Sequence, residues 1–321
     1  MSGTTLKVRV AHKRDEAQGI CSLELLPVQG CVLPAFTAGA HIDVHLSNGL
    51  VRQYSLCNPP SDTQRYQIAV LRDPASRGGS EAVHAQVTEG QVLEISAPKN
   101  HFPLARDAKQ HLLLAGGIGV TPLMAMAEQL CADGADFALH YFARSVGKAA
   151  FVDRFAASAF ASRVHTHWDD APQEPPVSLP ALIGQPQEGQ HLYVCGPKGF
   201  MDAVLATARA QAWPEAQLHF EFFGGPVVPD ASDAAFTVKI ASSGQEIQVG
   251  ADQTVIQALH KAGVDVPIAC EQGVCGTCLV RVLSGTPDHK DMYLTPEEQE
   301  ANDQFTPCCS RSKSPMLVLD L

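Results

Sequence analysis

Cys270, Cys275 and Cys278 lie in the tract CEQGVCGTC with the spacing C-x4-C-x2-C, and Cys308 follows after 29 intervening residues. That is the ligand spacing of a plant-type 2Fe–2S site. A loop that wraps two irons must bring thiolates in from several directions. Gly273 and Gly276 suit such a loop, because glycine takes φ values other residues resist and lets backbone N–H groups approach the sulfurs. A structural zinc site is the competing assignment. Zinc ligands usually come as two C-x2-C pairs, whereas this tract has one such pair and an extra cysteine upstream. Cys309 rivals Cys308 as the fourth ligand, but the gap and the following Ser310-Arg311 favour Cys308. Cys21, Cys31, Cys57 and Cys131 stand singly in apolar contexts and are expected to be small buried hydrophobes.

Two strand–glycine–helix junctions carry a second kind of chemistry. GGIGVTP at 116–122 follows an apolar strand and opens a helix, which places backbone amides and a helix N-terminus where a pyrophosphate can bind. Gly116, Gly117, Gly119 and Thr121 are its candidates. The tract falls short of the full G-x-G-x-x-G fingerprint, so an ordinary tight turn competes. YVCGPKGFMDAV at 193–204 is the second junction and offers Cys195, Gly196 and Pro197. Both loops are expected at the carboxyl edge of a parallel sheet, where open α/β folds bind ligands.

RQYSL at 52–56 offers Arg52 as a forked phosphate donor, Tyr54 as a face for a heterocycle and Ser55 as a hydrogen-bonding group, with Gln53 between them. An ordinary strand with an exposed arginine fits equally well. SRGGS at 76–80 adds a candidate phosphate cradle from Arg77, Gly78, Gly79 and Ser80. Arg144-Ser145, at a strand end, could receive a 2′-phosphate; Asp169 and Asp170, after the next strand, could contact a ribose and favour NADH over NADPH.

These residues must be held by three kinds of element. Residues 1–107 read as short strands (Leu6–Val10, Ile20–Leu26, His41–Leu46, Val51–Ser55, Tyr66–Val70, Val92–Ala97) divided by turn signals, the pattern of an antiparallel β-barrel. Residues 108–225 alternate strand and helix, which implies a Rossmann-like parallel α/β domain. Its expected helices include Thr121–Leu130, Lys148–Phe160 and Gly199–Ala212. Residues 226–235 have linker composition. Residues 236–321 open with two strands, continue through a helix near Thr254–Ala262 and the cysteine loop, and close on a strand at Met316–Leu321.

Composition narrows the partners. The 321-residue chain is 45% hydrophobic with a net charge of −11, which disfavours nucleic acid. Neither an apolar run of membrane-spanning length nor a secretion leader is visible, so a cytoplasmic location is expected. The third domain carries 11 acids against 6 bases. Glu271, Glu297, Glu298 and Glu300 are either a docking face or a solvated surface.

The order of barrel, nucleotide domain and C-terminal ferredoxin resembles the phthalate dioxygenase reductase family, which includes the reductase components of vanillate O-demethylases. RQYSLCN, SRGGS, AGGIGVTP, YVCGPKGFM, HFEFFG and CEQGVCGTC…PCCSR carry the resemblance across the whole chain. It implies an FMN-binding barrel, an NADH-binding α/β domain and a β-grasp 2Fe–2S domain. Arg52, Tyr54, Ser55, Arg77, Gly79 and Ser80 would hold flavin; Gly117, Thr121 and the Cys195–Pro197 turn would hold the nicotinamide nucleotide. Phe223 would lie beside the flavin ring, with Ser55 and Cys195 near the site of hydride transfer. The implied activity is that of a monomeric, NADH-dependent reductase passing electrons through FMN and a 2Fe–2S cluster to a terminal Rieske oxygenase of aromatic catabolism. A reductase for another acceptor, such as a ferredoxin, is the nearest alternative. A non-enzymatic protein with a zinc-stabilised C-terminal module is a more distant one.

Overall fold

The structure, a computed structural model, describes residues 5–29, 32–74, 78–171, 177–223, 233–268, 273, 276–291 and 293–321. The chain divides into two compact units, Met1–Phe223 and Gly224–Leu321.

The first unit opens with β1 (Leu6–Ala17), β2 (Ile20–Pro27), β3 (His41–His45), β4 (Val51–Ser55), β5 (Tyr66–Leu71) and β6 (Val92–Ile95), with α1 (Gly79–Gln86) between β5 and β6. The strands form an antiparallel sheet in the order β4-β3-β6-β1-β2-β5. An isolated bridge, Leu56–Ile68, joins its two edges and closes it into a barrel. Val8, Val10, Leu23, Leu25, Ile42 and Val44 alternate along their strands and fill the interior. Register shifts at Val10/His12 and Asp15/Ala17 give β1 the bends that closure needs.

A five-stranded parallel sheet follows: β7 (Gln110–Gly116), β8 (Asp136–Ala143), β9 (Val164–Trp168), β10 (Gln190–Gly196) and β11 (Leu218–Phe222). Its order is β11-β10-β7-β8-β9. The helices are α2 (Val120–Ala132), α3 (Val152–Ala156), α4 (Leu179–Ile183) and α5 (Lys198–Ala210). Strand β7 is buried on both faces, Leu113 and Ala115 against α2 and Leu112 and Leu114 against α5, which is why HLLLAG is continuously apolar. From β7 the chain winds one way through β8 and β9 and the other way through β10 and β11. The β7/β10 boundary is therefore the topological switch point.

The helix expected over Lys148–Phe160 is reduced to α3 plus 3₁₀ turns at Val146–Lys148 and Ala161–Arg163. Ala149 is extended, the buried Ala150 N–H donates to Tyr141 Oη at 3.0 Å, and Phe151 takes a left-handed φ of 65°. A tertiary hydrogen bond replaces the first helical ones, so the helix starts a turn late.

The second unit holds β12 (Phe236–Ile240), β13 (Glu246–Val249), α6 (Val255–Lys261), β14 (Val280–Ser284), β15 (Pro287–Asp288), α7 (Pro296–Ala301), β16 (Gln304–Phe305), β17 (Arg311–Ser312) and β18 (Met316–Leu319). Its main sheet runs β13-β12-β18-β14-β16, with β12 and β18 parallel and the other pairs antiparallel. Helix α6 lays Val255 and Leu259 on this sheet, the β-grasp arrangement. Capping boxes start both helices: Thr254 with Gln257 on α6, and Thr295 with Glu298 on α7. Most of the segment expected as a linker, 226–232, lies outside the described residues. Its end is packed: Arg311 donates to Ala234 O at 3.0 Å and lies 3.4 Å from the Asp233 carboxylate.

Candidate functional site

The thiols at the C-terminal end are buried, Cys278 and Cys308 at 3% exposure and Cys309 at 2%. Cys270 and Cys275, like Glu271, lie outside the described residues. Gly273 and Gly276 have φ of 72° and 66°. A Cβ on Gly273 would collide with Cys309 Sγ, and one on Gly276 would collide with the Tyr293 ring. Only glycine satisfies both the backbone conformation and the space at these positions. Buried thiols at Cys278 and Cys308 beside the glycines Gly273 and Gly276 fit the soft-donor chemistry of a 2Fe–2S cluster.

In the first unit, the two glycine junctions meet at the switch point. A Cβ on Gly119 would collide with the Cys195 carbonyl, and one on Gly196 would come within 2.9 Å of Gly116 Cα. A Cβ on Gly116 would stand 2.9 Å from the Pro197 ring. These glycines let the β7 and β10 loops touch. Gly117 does something else: it is left-handed (φ 52°) with open space above it. Among the described residues no side chain caps α2, and the buried Thr121 hydroxyl donates to Ile118 O at 3.0 Å. Helix α2 is entered through a 3₁₀ turn at Gly117–Gly119, in which the Val120 amide already donates to Gly117 O, so the open glycine turn itself is the part that fits the pyrophosphate of a dinucleotide.

A separate group gathers at α1. Gly78 is left-handed (φ 87°), and a Cβ on Gly79 would lie 2.7 Å from Arg52 Nε. Arg52 therefore lies against the start of an eight-residue helix, and the guanidinium and the helix amides together fit a flavin phosphate. Ser80 Oγ accepts from Asp73 N at 3.1 Å and keeps its own proton to donate. Arg77 lies outside the described residues. Gln53 is directed elsewhere, since its amide donates to Asp43 Oδ1 at 3.0 Å. Tyr54 packs on the barrel core, where burial raises its phenol far above the ordinary value.

Between these groups lies a contact that spacing did not reveal. Ser55 Oγ donates to Glu221 Oε2 at 3.3 Å. Glu221 pairs in register with Cys195 across β10 and β11. Burial pushes the Glu221 carboxyl up to about 7, partly offset by the Ser55 hydroxyl. Burial, with Glu221 adding, also holds the Cys195 thiol well above its usual range, so it stays a neutral thiol. Phe223, 37% exposed, ends the unit just beyond β11, and Arg144 is exposed just beyond β8. Ser55, Cys195 and the Phe223 end of β11 are brought to one edge, and Glu221 joins them. The sequence signal for Glu221 was a lone acid in the apolar strand LHFEF.

Comparisons with known proteins bear on both units. The family of 2Fe-2S iron-sulfur cluster binding domains matches residues 238–313. The chain is 55% identical over 313 residues to a vanillate O-demethylase oxidoreductase of Pseudomonas putida, covering 97% of this chain and 98% of that one. It is 39% identical over 317 residues to a phthalate dioxygenase reductase of Burkholderia cepacia, covering 98% and 97%. The solved structure of a phthalate dioxygenase reductase, a modular structure for electron transfer from pyridine nucleotides to [2Fe-2S], superposes with a TM-score of 0.79 at 39% identity over 99% of this chain and 98% of that one.

Proposed function

The chain belongs to the phthalate dioxygenase reductase family, and on that premise we propose that it delivers electrons to the terminal Rieske oxygenase of an aromatic oxygenation or demethylation system. It is an iron–sulfur flavoprotein oxidoreductase that takes electrons from a pyridine nucleotide to a 2Fe–2S centre. When bound, NADH supplies electrons in pairs, FMN converts pairs to single electrons, and the cluster carries them one at a time.

The chain's own residues position these groups. Arg52, Gly78, Gly79 and Ser80 would hold the FMN phosphate, and Ser55 would hydrogen-bond near the flavin. Gly116, Gly117, Gly119 and Thr121 with Cys195, Gly196 and Pro197 form the NADH crevice. Glu221, with its carboxyl near neutrality in pKa and its bond to Ser55, holds a proton beside the point where the barrel and the two glycine junctions come together. The buried Cys195 thiol stays neutral there and brings no thiolate chemistry. We further read the chain as a monomer acting in the cytoplasm, a reducing compartment that suits the free thiols of Cys21, Cys57, Cys131 and Cys195. No helix among the described residues is long and apolar enough to cross a membrane.

The observation that supports this reading best is the convergence of Ser55, Cys195 and Glu221 where the two glycine junctions touch. Its test is NADH-driven reduction in wild type and in Cys275→Ser. The variant should bleach its flavin at close to the wild-type rate while losing cluster-dependent cytochrome c reduction. Loss of both together would overturn the modular assignment.

A further inference from the structure

Helix α1 is eight residues long, and an isolated helix of that length is marginal in water. Its start, at Gly78-Gly79, lies against Arg52. Order at that start depends on how the other end is closed. Each of the helices α2 to α7 is closed by a backbone N–H of the residue that caps its C-terminus. Helix α1 instead runs into Val87, which is extended (ψ 125°). A side chain from a distant strand takes the carbonyls there. The Lys13 ammonium, reaching over from β1, donates to Val83 O at 3.0 Å, His84 O at 2.7 Å and Val87 O at 2.8 Å. An ammonium has three N–H donors, and each has its acceptor.

Lys109 and Lys198, by contrast, make exposed ion pairs with Glu188 and Asp202, of the kind that contribute little. Lys13 is itself fixed, since its strand pairs with β2 and its own N–H donates to the Glu89 carboxylate at 2.8 Å. The helix dipole puts partial negative charge on the last carbonyls, so an ammonium there is favourable and keeps the final turn wound. Ala82 and Val83 bury the middle of α1 in the barrel core. The two ends are left to polar ties, and they stand about 12 Å apart along the axis.

We propose that Lys13 is a positioning residue for the flavin phosphate: by closing the C-terminal end of α1, it keeps the first-turn amides and Gly78 aligned with Arg52 to receive the phosphate. The inference rests on the reading of the α1 start as the phosphate end of the flavin site. Lys13 acts through the helix, because its ammonium binds the end opposite Gly78, Gly79 and Ser80. This role separates phosphate from ring. Riboflavin has the ring and ribityl chain of FMN and lacks its phosphate. Loss of Lys13 should weaken FMN and spare riboflavin, whereas a lysine that merely supported the barrel would weaken both.

The test uses full-length chains depleted of flavin by dialysis against bromide: wild type, Lys13→Met and Lys13→Arg. Each is titrated with FMN and, separately, with riboflavin, followed by the change in flavin fluorescence, and circular dichroism melts check folding. In Lys13→Met the Kd for FMN should rise about five- to tenfold and that for riboflavin less than about twofold. Lys13→Arg keeps a cation at the helix end and should lose less FMN affinity than Lys13→Met. An equal loss for the two ligands overturns the proposal, and so does an FMN Kd in Lys13→Met within about twofold of wild type. If Lys13→Met does not fold, Lys13→Arg carries the same comparison: a loss confined to FMN supports the proposal, and an equal loss or none overturns it. A wild type that binds FMN no more tightly than riboflavin would fail the parent reading of α1 instead, a distinct result.

Discussion

Ser55 Oγ donates to Glu221 Oε2 at 3.3 Å, joining the end of a barrel strand to the outer strand of the parallel sheet across 166 positions of sequence. The barrel's candidate flavin residues and the sheet's candidate nucleotide residues meet at this bond, and its acceptor titrates at about 7. Glu221→Gln keeps a hydrogen-bonding partner for Ser55 and removes the titration. Stopped-flow bleaching of flavin by NADH should show an inflection near pH 7 in wild type and a flat profile in the variant. Ser55→Ala should move the inflection upward, because the lost hydroxyl favoured the charged form. An unchanged inflection in Glu221→Gln assigns it to another group.

The same carboxyl bears on stability. Its folded pKa of about 7 lies above the ordinary 4.5, so its contribution is fully present below pH 4.5 and lost as pH rises through 7. Half-buried His140 and His219, lowered from 6.5 to about 4, act with the opposite sign: their contribution is present above pH 6.5 and lost as pH falls through 4. Glu221→Gln should therefore gain about 2–3 kcal/mol relative to wild type at pH 8 compared with pH 4. Urea unfolding at the two pH values measures this difference, and an equal effect at both contradicts it.

Gly119 and Gly117 should fail in different ways. Alanine at 119 drives its Cβ into the Cys195 carbonyl, separates the two junctions and should cost about 2–3 kcal/mol or more. Alanine at 117 meets open space and bears only left-handed strain, about 1–2 kcal/mol. It should leave a folded protein whose KM for NADH rises roughly tenfold or more with a smaller change in kcat. Thermal melts and steady-state kinetics separate the two. Unaltered KM in Gly117→Ala would remove the loop from the nucleotide site.

Helix α7 divides the acids near the C-terminus by role. Glu298 accepts from Thr295 N at 2.8 Å as half of a capping box, so Glu298→Ala should cost about 1 kcal/mol and Glu298→Gln much less. Glu297 and Glu300 are exposed. If they dock a redox partner, transfer to that partner should weaken as salt rises, and Glu297→Gln/Glu300→Gln should lower the low-salt rate and flatten the dependence. A salt-independent wild-type rate leaves them as solvated surface.

Much of the fold was legible because burial leaves periodic marks. Strands such as Tyr66–Leu71 and the doubly buried Gln110–Gly116 announced themselves by alternation or by unbroken apolar runs. What was missed depends on tertiary contact or on weak local signals. The Gly78-Gly79 start of α1 reads as a loop, though Arg52 packs on it. Lys148–Phe160 has helical periodicity, but Tyr141 takes the Ala150 amide. Helix α7 carried its signature in Thr295-Pro296-Glu297-Glu298 and could have been found. Glu221 could not be assigned a role from its own neighbourhood, since its meaning comes from register with Cys195 and from Ser55.

The central claim is that one chain houses a flavin, a pyridine-nucleotide crevice and a 2Fe–2S cluster. Anaerobic dithionite titration of the purified protein, followed by visible absorption, tests it most directly. The expected result is flavin and iron–sulfur bands that bleach together with uptake of about three electrons per chain, two for flavin and one for the cluster, with NADH able to start the bleaching. A colourless, zinc-containing protein that takes up no electrons would contradict it.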